Sequence, residues 1–265
     1  MFKLTYLLFG RSPTLWVTFL FLGAIARGQN VLPDGVVDLS KDSMAVSIPF
    51  YSGLADYHAF RIPTLIKTKN TLIAFAEGRK NSTSDFGDID LVYRKSFDDG
   101  KNWEGLEILY ERDTMAVQNP VPIFVESANK IVLLFNTTSL SEHDVLNLDY
   151  ENKDERKAYL TVSYDDGETW DPPREITRQV KRPPWRWHAL GPVHGIQLRH
   201  GSHSGRLLAP VAISIEKGNA AYCMALIYSD DLGENWHIGA VDENSSDAVR
   251  ANETTIVELT LSLIH

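Results

Sequence analysis

The side chains able to do chemistry are few and scattered. Arg61, in Phe60-Arg61-Ile62-Pro63, is a planar, permanently charged donor. Such a group binds a carboxylate through two parallel hydrogen bonds. The Ile-Pro pair after it predicts extended backbone there. The loop Asn81 to Gly87 and the residues just beyond carry Asp85, Asp88 and Asp90. Each can hand a proton to a leaving oxygen, and each can equally be a solvated loop charge. Glu253 reads as a reacting carboxylate or as an ordinary charge at the start of a strand. His194, in Gly-Pro-Val-His-Gly, reads as a hydrogen-bonded loop residue rather than a catalyst. Trp185 and Trp187 lie in the loop Lys181 to Trp187 (KRPPWRW), expected to be exposed on one face. They either stack on a bound ligand or pack. Cys223 is the single cysteine, so no intrachain disulfide forms, and it reads as a small core residue. Nothing clusters the ligands that zinc needs.

A repeat supplies the frame for these residues. Ser96 to Trp103, Ser163 to Trp170 and Ser229 to Trp236 each read S-x-D-x-G-x-x-W. They start at 96, 163 and 229, a period of 67 and then 66 residues. Each is a hairpin turn: the Asp accepts backbone N–H groups, the Gly supplies a positive φ, and the Trp anchors between sheets. Asp98, Asp165 and Asp231 are therefore structural. Strand pairs precede each turn: Thr71–Ala76 with Leu91–Ser96, Lys130–Phe135 with Ala158–Ser163, and Arg206–Ile213 with Tyr222–Ser229. No long segment has helical periodicity. A period near 66 residues fits a four-stranded propeller blade with generous loops, so the fold class is all-β.

The composition is that of a globular protein. Of 265 residues, 43% are hydrophobic and 23% charged, enough to bury a core. The net charge is −9, and no basic run offers itself to nucleic acid. A few convergent arginines can still hold a small anion. The first residues differ: Lys3 and Arg11 flank apolar sequence, and Leu15 to Ala26 ends Ala-Ile-Ala. Residues 1–26 are expected to be a signal peptide, with the domain spanning 27–265. That run is too short to span a bilayer. Sequons at Asn81, Asn136, Asn244 and Asn252 fit a secretory route, with lysosome, cell surface and extracellular space all open.

The three turns resemble the Asp boxes of the sialidase family, and Phe60-Arg61-Ile62-Pro63 is similar to its F/Y-R-I-P signature. TLIAFAEGR (71–79), GPVHGIQL (191–198) and NETTIVEL (252–259) continue the likeness. The resemblance implies a six-bladed β-propeller, of which about three to four blades are present here. It implies exo-α-sialidase chemistry on sialylated glycoconjugates, membrane-associated gangliosides among them, with no metal or other cofactor. Arg61 resembles the first of three arginines that clamp the sialic acid carboxylate. Asp85 matches the general acid or base, and Glu253 the glutamate that polarises a tyrosine nucleophile. Glu77 and Arg79 look like rim or supporting residues, and Gln118 and Asn119 fall where the N-acetyl pocket is shaped. The family's other two arginines and its tyrosine lie further along than His265. The chain by itself is therefore expected to be truncated, poorly stable and inactive. The competing reading is a catalytically dead propeller that binds sialoglycans or proteins.

Overall fold

The computed structural model describes residues 46–148, 155–215, 222–242 and 252–259. The chain divides into two compact units, Met1–Ser47 and Ile48–His265, and nearly all described residues belong to the second. The expected leader over 1–26, and the domain start at 27, lie outside the described residues.

Three four-stranded units follow one another. β1 (Ala59–Lys67), β2 (Leu72–Arg79), β3 (Ile89–Ser96) and β4 (Glu107–Tyr110) form an antiparallel meander. β5 (Ala116–Val125), β6 (Lys130–Thr138), β7 (Lys157–Ser163) and β8 (Arg174–Glu175) form the second. In the third, β9 (His188–Leu190) and β10 (Ile196–Gln197) both pair with β11 (Leu207–Ser214), as two halves of one inner strand. β12 (Tyr222–Ser229) and β13 (His237–Asp242) complete it. A single parallel pair, Ile89 with Ala116, links the first two units. These are propeller blades, and the strands expected before each turn are β2, β3, β6, β7, β11 and β12. Two short helices, α1 (Glu142–Asn147) and α2 (Thr177–Val180), sit in the loops.

Blades pack face to face, so their middle strands are buried on both sides and read as continuous apolar runs. Ile73, Phe75, Tyr93, Leu133, Phe135 and Tyr159 fill the space between the first two blades. Val132, Leu160, Trp185, Val211, Ile227 and Trp236 fill the next. Each large side chain so buried stabilises the fold by about 1.5–3 kcal/mol.

The box turns share one hydrogen-bond pattern. In the third, Ser229 Oγ donates to Asp231 Oδ1 at 2.7 Å and accepts from Gly233 N at 2.8 Å. Asp231 in turn accepts from Asn235 N at 2.9 Å and Asn235 Nδ2 at 2.8 Å. Ser96–Asp98–Asn102 and Ser163–Asp165–Thr169 repeat it. Gly233 has φ +94°, and a Cβ there would sit 2.9 Å from Val132 of the preceding blade, so only glycine fits. Trp236 is buried, while Trp170 is half-buried, edge-on to Phe75 and Tyr93 of the first blade.

These bonds carry a pH signature. Hydrogen bonds from the Asn102 backbone and side chain hold Asp98 down at about 2. Partial burial raises Asp231, but the bonds from Asn235 and Ser229 outweigh it and bring it to about 2. A carboxyl lowered on folding lends stability above the ordinary range near ~4, and that stability is lost as pH falls towards 2. Asp231→Asn is expected to lower the melting temperature at neutral pH and to flatten its decline between pH 4 and 2. Circular dichroism melts across that range check this. Equal slopes in the two proteins would place the acid sensitivity elsewhere.

The loop 181–187 is exposed at Arg182, Pro183 and Pro184 and packs through its other residues. Lys181, Trp185 and Trp187 are buried. Trp185 inserts between the second and third blades, and Trp187 packs with Ala189 and Tyr222. The two indoles are buried while Arg182, Pro183 and Pro184 stay in solvent, so one loop has a packed face and a solvated one. Asn136 is likewise fully buried, and its Nδ2 donates to Lys157 O at 3.0 Å. A glycan at that sequon is incompatible with this fold.

Candidate functional site

Each inner strand carries the same irregularity where it approaches the site. Ile62, Asn119 and Gly191 have φ of +54°, +59° and +46°, and each stands immediately before a proline. The β1–β2 register shifts between Arg61 and Thr64, and the β5–β6 register between Gln118 and Val121. Such bulges re-aim side chains, and a β-branched residue at positive φ costs about 1–3 kcal/mol. Arg61 is extended as expected, but the backbone turns directly after it, against the usual preference of a residue before proline. The three X-Pro pairs are the sequence signal of this pattern.

A cleft of about 180 Å³ opens where these strands meet. Arg61, Asp85, Gln118, Asn119 and Glu253 all line it, so five scattered candidates come together. Asp85 Oδ1 takes bonds from Arg61 Nη1 at 2.8 Å and Arg79 Nη2 at 2.7 Å. The Arg61 and Asp85 side chains are each about half exposed, at 49% and 55%.

Glu77 and Arg79 are not rim residues. Both are about 1% exposed and lie beneath the cleft, joined at 2.6 Å. Arg79 Nη1 also donates to Thr83 O at 2.6 Å, tethering the acidic loop. Glu77 Oε1 accepts the Asn119 backbone N–H at 3.1 Å. Burial pushes the Glu77 carboxyl above its ordinary value, against the pull of Arg79, the Asn119 N–H and Arg156.

One participant was missed altogether. Arg156 lines the cleft and is 2% exposed. Its Nη1 donates to Gln118 Oε1 at 2.8 Å, its Nη2 to Asn119 Oδ1 at 3.3 Å and its Nε to His188 O at 3.1 Å. The guanidinium lies 4.2 Å from the centre of the Trp187 ring. Burial brings its pKa down to about 10, opposed by Glu77 and Glu142, so it stays charged at neutral pH. In sequence it stands in the charged run Lys153 to Lys157, which reads as a solvated face. Behind it, burial with nearby Lys181 and Arg156 drives His188 down to about 3, so that ring stays neutral.

Asn119 ties all three blades together. Its N–H meets Glu77 of the first, its Oδ1 meets Arg156 of the second, and its Nδ2 donates to Leu190 O of the third at 2.9 Å. Glu253 also lines the cleft; it is exposed, at a bend in the segment 252–259, which pairs into no strand among the described residues. The Thr254 N–H fixes that segment to Gly191 O at 3.1 Å.

The rivals of Asp85 fall away. Asp90 is buried, bonded to the Tyr57 hydroxyl and 3.1 Å from Lys80, while Asp88 is 3.2 Å from Lys80. Neither lines the cleft. His194 faces a separate groove with Lys67 and Glu258. Of the sequons, Asn81 is exposed beside the acidic loop, Asn252 lines the cleft and Asn244 lies outside the described residues.

With this geometry in view, residues 70–262 match a family model described as BNR repeat-like domain. The exo-alpha-sialidase of Aspergillus fumigatus is 36% identical over 163 residues, 55% of this chain and 40% of that protein. Sialidase-3 of Bos taurus is 30% identical over 201 residues, 68% of this chain and 45% of that protein. Among solved structures, the Hadza microbial sialidase Hz136 superposes with a TM-score of 0.64 at 29% identity, covering 72% of this chain and 39% of that one. An intramolecular trans-sialidase from Ruminococcus gnavus gives 0.65 at 18% identity, a likeness of fold. The molecule is thus an all-β, BNR-repeat propeller of the six-bladed sialidase type, with three blades among the described residues. Within that class, the chain belongs to the sialidase family of glycoside hydrolases. It spans about half the length of the curated relatives it matches.

Proposed function

We propose that this protein is an exo-α-sialidase, acting on terminal α-linked sialic acid of glycoproteins, oligosaccharides and gangliosides after entry into the secretory pathway. The observation that carries this is the Asp85 carboxylate held between Arg61 and Arg79 in a cleft that Glu253 also lines. Sialic acid brings its own carboxylate, which suits the exposed fork of Arg61. On binding, that carboxylate takes Arg61 from Asp85. Asp85, left with Arg79 alone, can then take up a proton from solvent and hand it to the leaving oxygen. A carboxylate nucleophile would be repelled by the substrate's charge, and sialidases use tyrosine instead. Glu253 is proposed to polarise it.

The tyrosine and two further clamp arginines are expected outside these 265 residues. For the chain by itself we therefore expect binding without turnover. Sequencing the transcript beyond codon 259 tests the enzyme reading. Two arginines and a tyrosine in the continuation support it, and a stop after His265 favours a sialoglycan-binding propeller. Cleavage of a fluorogenic sialoside by the 265-residue chain, abolished by Asp85→Asn, would overturn the expectation of inactivity.

The competition for Arg61 has its own consequence. Asp85→Asn removes the internal rival, so free sialic acid is expected to bind up to about fivefold tighter, the worth of one exposed ion pair. Calorimetric titration reads this directly. Weaker binding by Asp85→Asn would mean that Asp85 helps to hold the ligand.

A further inference from the structure

The cleft contains a buried cation for which the proposed reaction has no use. Among the described residues, none of the hydrogen bonds of Arg156 ends on a carboxylate; all three end on neutral oxygens. Glu77 and Glu142 favour its charge from nearby, but burying a guanidinium with no carboxylate hydrogen-bonded to it is costly, so its place calls for a reason.

We propose that Arg156 is a positioning residue, which orients the Gln118 amide and through it clamps the loop that carries Asp85. A guanidinium only donates, so the amide atom it meets must be the oxygen. With Oε1 fixed on Arg156 Nη1 at 2.8 Å, the Gln118 Nε2 is turned the other way, and it donates to the Asp85 carbonyl at 2.6 Å. Gln118 is buried, whereas residues 81–85 are all exposed. The clamp therefore runs from the interior to a loop with little packing of its own. It acts on the Asp85 backbone, while Arg61 and Arg79 act on the side chain. Released from Arg156, the amide can rotate and set its oxygen against the Asp85 carbonyl. The importance of the clamp for catalysis rests on the reading of Asp85 as the acid; the clamp itself does not.

Amide hydrogen exchange on the 265-residue chain tests this. Arg156→Met removes the cation, but emptying a three-blade junction threatens folding, so Gln118→Glu is the second variant. It keeps an acceptor for Arg156, now as an ion pair, and loses the donor to Asp85. In Gln118→Glu, amides within 82–87 are expected to exchange about tenfold faster, the worth of one hydrogen bond near the upper end of its usual range. Exchange in β5 and β6 and the melting temperature should hold. Unchanged exchange in the loop overturns the proposal. So does acceleration spread evenly over β5, β6 and β7, which marks a merely structural role. Sialic acid binding on the same samples separates the two readings. A clamped loop in a protein that binds no sialic acid sinks the proposed function alone, and normal binding with no loop effect sinks the clamp alone.

Discussion

Arg61→Ala is expected to weaken the binding of free sialic acid by about 2–3 kcal/mol, roughly 30- to 150-fold. The fork offers two charge-assisted hydrogen bonds to one carboxylate. It is only half exposed, so part of that interaction is made away from bulk water. Arg61→Lys keeps the charge but not the planar pair of donors, and should recover only part of the loss. Folding is not the issue, since the side chain is half exposed and its ion pair to Asp85 contributes little to stability. Calorimetry on the wild type and both variants, with melting temperatures as the control, measures it. Equal affinities would remove Arg61 from the ligand site. The sign contrasts with Asp85→Asn, which should tighten binding, so the two variants together separate clamp from competitor.

Asn119→Ala is expected to destabilise the domain by about 3–8 kcal/mol. The change leaves Leu190 O and an Arg156 donor without their partner inside the protein, at about 1–3 kcal/mol each. It also places an alanine at φ +59°, which costs about 1–2 kcal/mol. Asn119→Gly relieves the second cost but not the first, so comparing the two divides them. A domain of ordinary stability has only about 5–15 kcal/mol to lose. Urea unfolding followed by tryptophan fluorescence gives both values. A loss under about 1 kcal/mol would mean that water replaces the side chain and that the three blades do not depend on it.

The box turns were legible because their chemistry is local. The bonds in them join residues two to four apart, so eight letters suffice to specify the turn, and three copies specify the blade period. The same holds for the strands, whose apolar runs reflect burial on both faces. Arg61, Asp85, Gln118, Asn119 and Glu253 were reached through short motifs, and they do line one cleft. The resemblance singles out Asp85 over Asp88 and Asp90, and the structure adds that Lys80 and Tyr57 hold those two away from the cleft.

The sequence by itself determined the blade unit, its repeat and the residue types at the mouth of the cleft, since each depends on neighbours along the chain. Only the tertiary structure decided that Glu77 and Arg79 lie beneath the cleft, that Trp185 is a core residue, and that Arg156 belongs to the site at all. Those outcomes depend on contacts between residues far apart in sequence: Arg156 meets Gln118 across 38 positions, and Asn119 meets Glu77 across 42 and Leu190 across 71. A charge in a run of charges looks solvated until the fold closes over it, and nothing within a few residues of Arg156 records that it will.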